Sequence, residues 1–155
     1  IKDVPSLHLE PRGSTPLRDA MGKTITSVGQ RLENTSEDKR PGRVLFLVIT
    51  DGHENASHEF SRNQIKTMVK HQTNAYQWQF VFLGANIDAF AEAGELGIPA
   101  VNTAYFRGDA HGVQAMSMSV SKGVTEYRRS GNYVISEDDR KKLKQSLDVP
   151  TTPQV

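Results

Sequence analysis

The run Val44-Leu45-Phe46-Leu47-Val48-Ile49 leaves this chain few folds to choose from. A strand with one wet face alternates apolar and polar residues. An unbroken apolar run of this length reads instead as a strand covered on both faces, as in a parallel sheet between helical layers. Thr50, Asp51 and Gly52 follow at once. They stand at the carboxyl end of a central strand, where open α/β sheets place their ligands.

The pattern around this run alternates. Thr15 suits a helix N-cap, Pro16 the first helical turn, and Asp19 a position where the helix dipole favours an acid. Leu17, Met21, Ile25, Val28 and Leu32 then form one apolar helical face. Asn34 to Gly42 is a polar loop, and the strand 44–49 follows. Ser61-Arg62-Asn63-Gln64 matches a capping box, and Ile65, Met68, Val69 and Tyr76 continue that helix. Trp78 to Leu83 reads as a second doubly covered strand. After it comes a short helix with Ile87, Phe90 and Ala91, ended by Gly97. Ile98 to Thr103 reads as a third, weaker strand. A long helix begins near Asp109 and buries Val113, Met116, Val120, Val124 and Tyr127. Such alternation predicts an α/β fold, a Rossmann-like parallel sheet with helices on both faces.

The ends differ from the middle. Pro5, Pro11 and Gly13 make residues 1–14 a connection. After Arg129 the pattern fades into a charged tail, residues 131–155. A short helix is expected there from Ser136-Glu137-Asp138-Asp139 through Leu147, with a loose end from Val149 to Val155.

Bulk composition narrows the function classes. The chain has 155 residues, enough for one domain with a real core. Its 19 Lys and Arg against 18 Asp and Glu give no reason to expect nucleic acid or an acidic membrane as partner. The absence of cysteine removes disulfides, thiolate metal sites and cysteine nucleophiles, and fits a reducing, cytoplasmic setting. No apolar run is long enough to span a bilayer.

Several motifs fall short of a chemistry. His53-Glu54-Asn55-Ala56-Ser57-His58 resembles the zinc-protease helix, but its histidines are five residues apart. On a helix that spacing turns them apart by roughly 140°, so the segment reads as a polar loop. Phosphate loops, dinucleotide fingerprints and nucleophile elbows are lacking. Met116 and Met118 read as core and surface of one helix. The oxygen-bearing pair Thr15 and Asp51 remains. A hydroxyl and a carboxylate suit a hard divalent cation, and equally suit caps of a helix and a turn.

Three segments together carry a resemblance: Gly13-Ser14-Thr15-Pro16-Leu17-Arg18-Asp19-Ala20, Val48-Ile49-Thr50-Asp51-Gly52-His53-Glu54-Asn55, and Phe82-Leu83-Gly84-Ala85-Asn86. At this spacing they resemble the von Willebrand factor type A domain, nearest its bacterial and phage intracellular members. The resemblance covers about residues 1–130, read as a partial domain of that kind. It implies a metal-ion-dependent adhesion site at the sheet's carboxyl edge, with Thr15 and Asp51 in the metal shell. The family's first-loop Asp-x-Ser-x-Ser motif has no counterpart in this chain. The resemblance therefore implies the C-terminal portion of the fold, with the first motif before Ile1.

The expected function is a protein-interaction module. It binds magnesium or manganese through Thr15 and Asp51, and an acidic side chain of a protein partner completes the shell. Gly13 and Gly52 let the backbone turn close to the ion. With so few ligands, the ion need not bind to this chain alone. The rival readings are a magnesium-dependent hydrolase with Asp51 as ligand or nucleophile, and a metal-free scaffold. The strand 44–49, lacking one neighbour, is also expected to favour self-association.

Overall fold

The computed structural model describes residues 14–144. Three parallel strands form one sheet in the order β1 (Leu45–Thr50), β2 (Gln79–Gly84), β3 (Thr103–Tyr105). Leu45 lies beside Gln79 and Thr50 beside Gly84; Phe82 lies beside Thr103. Helix α1 (Leu17–Glu33) precedes β1. Helices α2 (Arg62–Tyr76) and α3 (Ala89–Glu95) make the two crossovers, and α4 (Ala110–Ser130) and α5 (Glu137–Lys144) follow β3. The α/β, Rossmann-like arrangement expected from the sequence is present. No helix among the described residues is long and apolar enough to cross a membrane.

The two-residue period of the strands sorts the core into two layers. Val48, Phe80 and Phe82 pack with Met21 and Ile25 of α1 and Ile65 and Val69 of α2; Ala89, Ala93 and Leu96 extend this layer. Phe46 and Phe80 meet with ring centroids 5.2 Å apart. Val81, Leu83 and Ala104 point the other way, toward Met116 and Tyr127 of α4 and Leu143 of α5. The segment expected as a charged tail adds Tyr133 and Ile135 to this second layer. The leading connection with Gly13, the helix end expected at Leu147 and the loose end expected from Val149 lie outside the described residues.

Local signals placed most elements. Ser61 and Gln64 form the expected capping box: the Ser61 hydroxyl accepts the Gln64 N–H, and the Gln64 amide oxygen accepts the Ser61 N–H at 2.8 Å. The Asp109 carboxylate accepts the Gly112 N–H at 2.8 Å and opens α4, which Gly131 closes at φ 80°. Met116 is buried while Met118 is 68% exposed, as core and surface of one helix.

Four expectations need correction. Pro16 is the N-cap of α1, and no side chain of its own caps the helix. The third strand begins at Thr103, because Ala100–Asn102 forms a 3-10 turn after Pro99. Proline lacks the N–H that would extend the ladder backward. Val113, expected on the buried face of its helix, is exposed, as is Tyr76. Each sits within a turn of a helix terminus, where the chain leaves the core. Finally, β1 is not covered throughout. Val48 is buried, but Leu45, Phe46 and Leu47 are half-buried and Ile49 is 47% exposed. The cause is topological: β1 pairs with β2 alone among the described strands.

Candidate functional site

The first turn of α1 carries backbone N–H groups with no partner inside the helix, and Pro16 provides no side-chain acceptor. The loop after β1 supplies acceptors instead. Glu54 Oε2 accepts the Arg18 N–H at 2.8 Å, and Ser57 Oγ accepts the Asp19 N–H at 3.1 Å. Asn55 bonds Thr15 in both directions. Its side-chain oxygen accepts the Thr15 N–H at 2.8 Å, and its own N–H donates to the Thr15 carbonyl at 3.3 Å. A helix start and a loop about forty residues later in sequence are thus fastened together.

Asp19 closes the same joint from the other side. Its carboxylate accepts three successive backbone N–H groups: His58 at 2.9 Å, Glu59 at 3.0 Å and Phe60 at 2.9 Å. Glu54 also holds its own loop, accepting the N–H of Ala56 at 2.9 Å, the N–H of Ser57 at 2.8 Å and the Ser57 hydroxyl at 2.6 Å. The Arg18 guanidinium lies 3.7 Å from Glu54 Oε1.

These bonds fix the charge of both acids. Burial pushes the Glu54 carboxyl up, but the Ser57 hydroxyl and the N–H groups of Arg18, Ser57 and Ala56 outweigh it and hold the group at about 2. For Asp19 burial again opposes ionisation. The N–H groups of His58, Phe60 and Glu59, with Lys23 nearby, prevail and lower it.

The joint brings the two candidate ligands to one end of the sheet. A Cβ placed on Gly52 would stand 3.3 Å from the Thr15 hydroxyl oxygen, so that oxygen faces the residue next to Asp51. Asp51 is exposed. Among the described residues, neither the Asp51 carboxylate nor the Thr15 hydroxyl has a hydrogen-bond or ion-pair partner. Thr50 shapes the turn beneath them. Its hydroxyl donates to the Gly52 carbonyl at 3.1 Å, and its oxygen lies 3.4 Å from the Gly52 nitrogen.

The neighbouring strand ends carry further polar groups. His53 Nδ1 lies 3.7 Å from Glu92 of α3. Asn86 takes a left-handed φ of 58°, and a Cβ on Gly108 would come within 2.8 Å of its amide nitrogen. Asp88 accepts the Ala91 N–H and the Tyr105 hydroxyl, at 3.1 and 3.0 Å. Both contacts lower its carboxyl, led by Ala91, while burial followed by Asp88 raises the Tyr105 phenol. Among the described residues, no three His, Cys, Asp or Glu side chains are grouped so as to hold a metal ion.

Sequence reasoning placed Thr15 and Asp51 at this edge but missed what joins them. Glu54, Asn55 and Ser57 were read as a polar loop, and Asp19 as a partner of the dipole. One signal was available: a helix start without its own capping side chain, and elsewhere a short stretch dense in acceptors. Comparison with protein-family models, with curated proteins and with solved structures finds no match.

Proposed function

We propose that this chain is an interaction module of the von Willebrand factor type A kind. In this reading Thr15 and Asp51 hold magnesium or manganese, and an acidic side chain of a protein partner completes the shell. The observation that supports the reading is the Thr15 hydroxyl oxygen facing Gly52, the residue next to Asp51, with neither oxygen-bearing side chain partnered among the described residues. Hydroxyl and carboxylate oxygens suit a hard cation, and the small Gly52 leaves room beside it. The ion's chemistry would be to bridge the chain to a carboxylate. The chain's own part is to hold Thr15 and Asp51 on a joint stiffened by Asp19, Glu54 and Asn55.

Two donors fill only part of an octahedral shell of about six positions. Water, the partner carboxylate and, by the resemblance, first-loop groups take the others. Weak affinity in the chain alone follows from that count.

A metal-free scaffold is the second reading. It is favoured by the lack of any three-ligand group among the described residues. The hydrolase reading needs a second free carboxylate beside Asp51. Glu54, the candidate in sequence, is occupied by the backbone of Arg18, Ala56 and Ser57.

Manganese titration followed by amide NMR tests the proposal. Paramagnetic broadening is expected to centre on Thr15 and Asp51–Gly52 at millimolar ion and to vanish in Asp51→Asn. Broadening elsewhere, or none at these residues, overturns the metal site and leaves the scaffold.

A further inference from the structure

Past the last residue of β1, Asp51 and Gly52 lie in a bend that belongs to no helix or strand. In the whole chain, this is the one place where an Asp or Asn precedes a glycine. Glycine carries no Cβ and leaves the amide nitrogen after Asp51 unshielded. The backbone does not demand glycine here, since Gly52 is not among the residues with positive φ. Apart from its chain neighbours, a Cβ on Gly52 would meet one atom within 4 Å, the Thr15 hydroxyl oxygen at 3.3 Å. The Gly52 N–H is loosely held. Its acceptor among the described residues is the Thr50 hydroxyl at 3.4 Å, against about 2.9 Å for an ordinary N–H···O bond. Asp19, Asp88, Asp109 and Asp139 are placed differently. Asp19 accepts three backbone N–H groups, Asp88 and Asp109 cap helices, and Asp139 is bound by Ser136 and Lys122. Each of the four is followed by a residue with a side chain.

We propose that Asp51-Gly52 is a site of spontaneous covalent modification, the isomerisation of aspartate to isoaspartate. The Gly52 nitrogen attacks Cγ of Asp51. An N–Cγ bond forms, the nitrogen loses its proton, and one carboxyl oxygen leaves as water. The product is a five-membered succinimide. Water then adds to one of its two carbonyl carbons. At Cγ the addition restores aspartate. At the main-chain carbonyl carbon of Asp51 it breaks the bond to the Gly52 nitrogen, and the chain then runs through Cβ and Cγ. One water leaves and one returns, so the composition is unchanged and no oxidant or reductant takes part.

The Asp51 carboxylate is available for this step. It is exposed and has no partner among the described residues. The bend lies outside the ladder of β1, whose last pair is Thr50 with Gly84, so ring closure breaks no strand bond. Isoaspartate adds one carbon to the main chain just past β1 and leaves the free carboxylate directly on Cα. The step needs no ion, so it stands independently of the metal reading. For that reading it means a ligand lost with age.

The full chain is held folded at neutral pH and physiological temperature for weeks, then digested and read by liquid chromatography with electron-transfer tandem mass spectrometry. The peptide containing Asp51 is expected to split into two peaks of equal mass, one with isoaspartate fragment ions, beside a species lighter by one water. Peptides containing Asp19, Asp88 and Asp109 should stay single. Gly52→Ala, its fold checked by circular dichroism, should slow the conversion several-fold. Asp51→Glu keeps the charge but would need a six-membered ring, and should abolish it. A chain unfolded in urea gives the reference rate. Conversion in urea with none in the folded chain overturns the proposal, because the turn then holds the two atoms apart. So does conversion spread equally over the other aspartates, or a rate at residue 51 that Gly52→Ala leaves unchanged.

Discussion

The Asp19 carboxylate accepts the Phe60 N–H at 2.9 Å, joining the first turn of α1 to the last residue before the α2 cap. The ring of Phe60 then lies against Gly22, one helical turn further along α1. The polar joint and the apolar contact therefore hold the same loop from two sides. Together they decide where the end of β1 sits relative to Thr15.

The ionised state of this joint predicts an acid transition. Glu54 sits at about 2 in the folded chain against an ordinary 4.5, so its contribution is complete above 4.5 and is lost as pH falls toward 2. Asp19, also lowered, acts in the same direction. Glu54→Gln should cost up to about 3 kcal/mol at neutral pH, the equivalent of that shift. It should also flatten the stability profile between pH 4.5 and 2. Urea unfolding followed by circular dichroism at several pH values measures both. An unchanged slope would mean that Glu54 is not the titrating group.

Gly22 sits mid-helix, where alanine would ordinarily add about 1 kcal/mol of stability. Here a Cβ would fall 2.5 Å from the Phe60 ring. Gly22→Ala should therefore destabilise by about 1–3 kcal/mol. A rise in melting temperature would show that the ring yields freely.

Asp51 is exposed and unpartnered among the described residues, so it contributes little to folding. Asp51→Ala should change stability by less than about 0.5 kcal/mol while removing manganese broadening. Thr15→Ala should weaken the broadening too, through loss of the hydroxyl, while the fold is kept because its backbone bonds to Asn55 survive the substitution. Loss of folding in either variant would make the residue structural and sink the site.

Arg140 holds three carbonyls of the segment 100–103 and lies 5.6 Å from the Phe90 ring centroid. Arg140→Ala should cost about 2 kcal/mol, as for hydrogen bonds from a charged donor. Hydrogen exchange should then quicken at Asn102 to Tyr105 ahead of β1 and β2. Uniform quickening would argue that α5 is not the local clasp of β3.

The sequence by itself determined the element order, the parallel α/β class and the placing of Asp51 at a strand end. These follow from near-neighbour rules: apolar periodicity, the Ser61–Gln64 box, and glycine or proline at termini. Tertiary structure alone decided that Glu54, Asn55 and Ser57 cap a helix they do not belong to, and that Asp19 binds the backbone at 58–60. It also decided that Arg140 of α5 fastens the segment 100–103 beside β3. The physical reason is the same in each case. A backbone N–H or C=O accepts any partner of the right geometry. Which acceptor arrives depends on how segments dozens of residues apart are packed, and composition carries no trace of that.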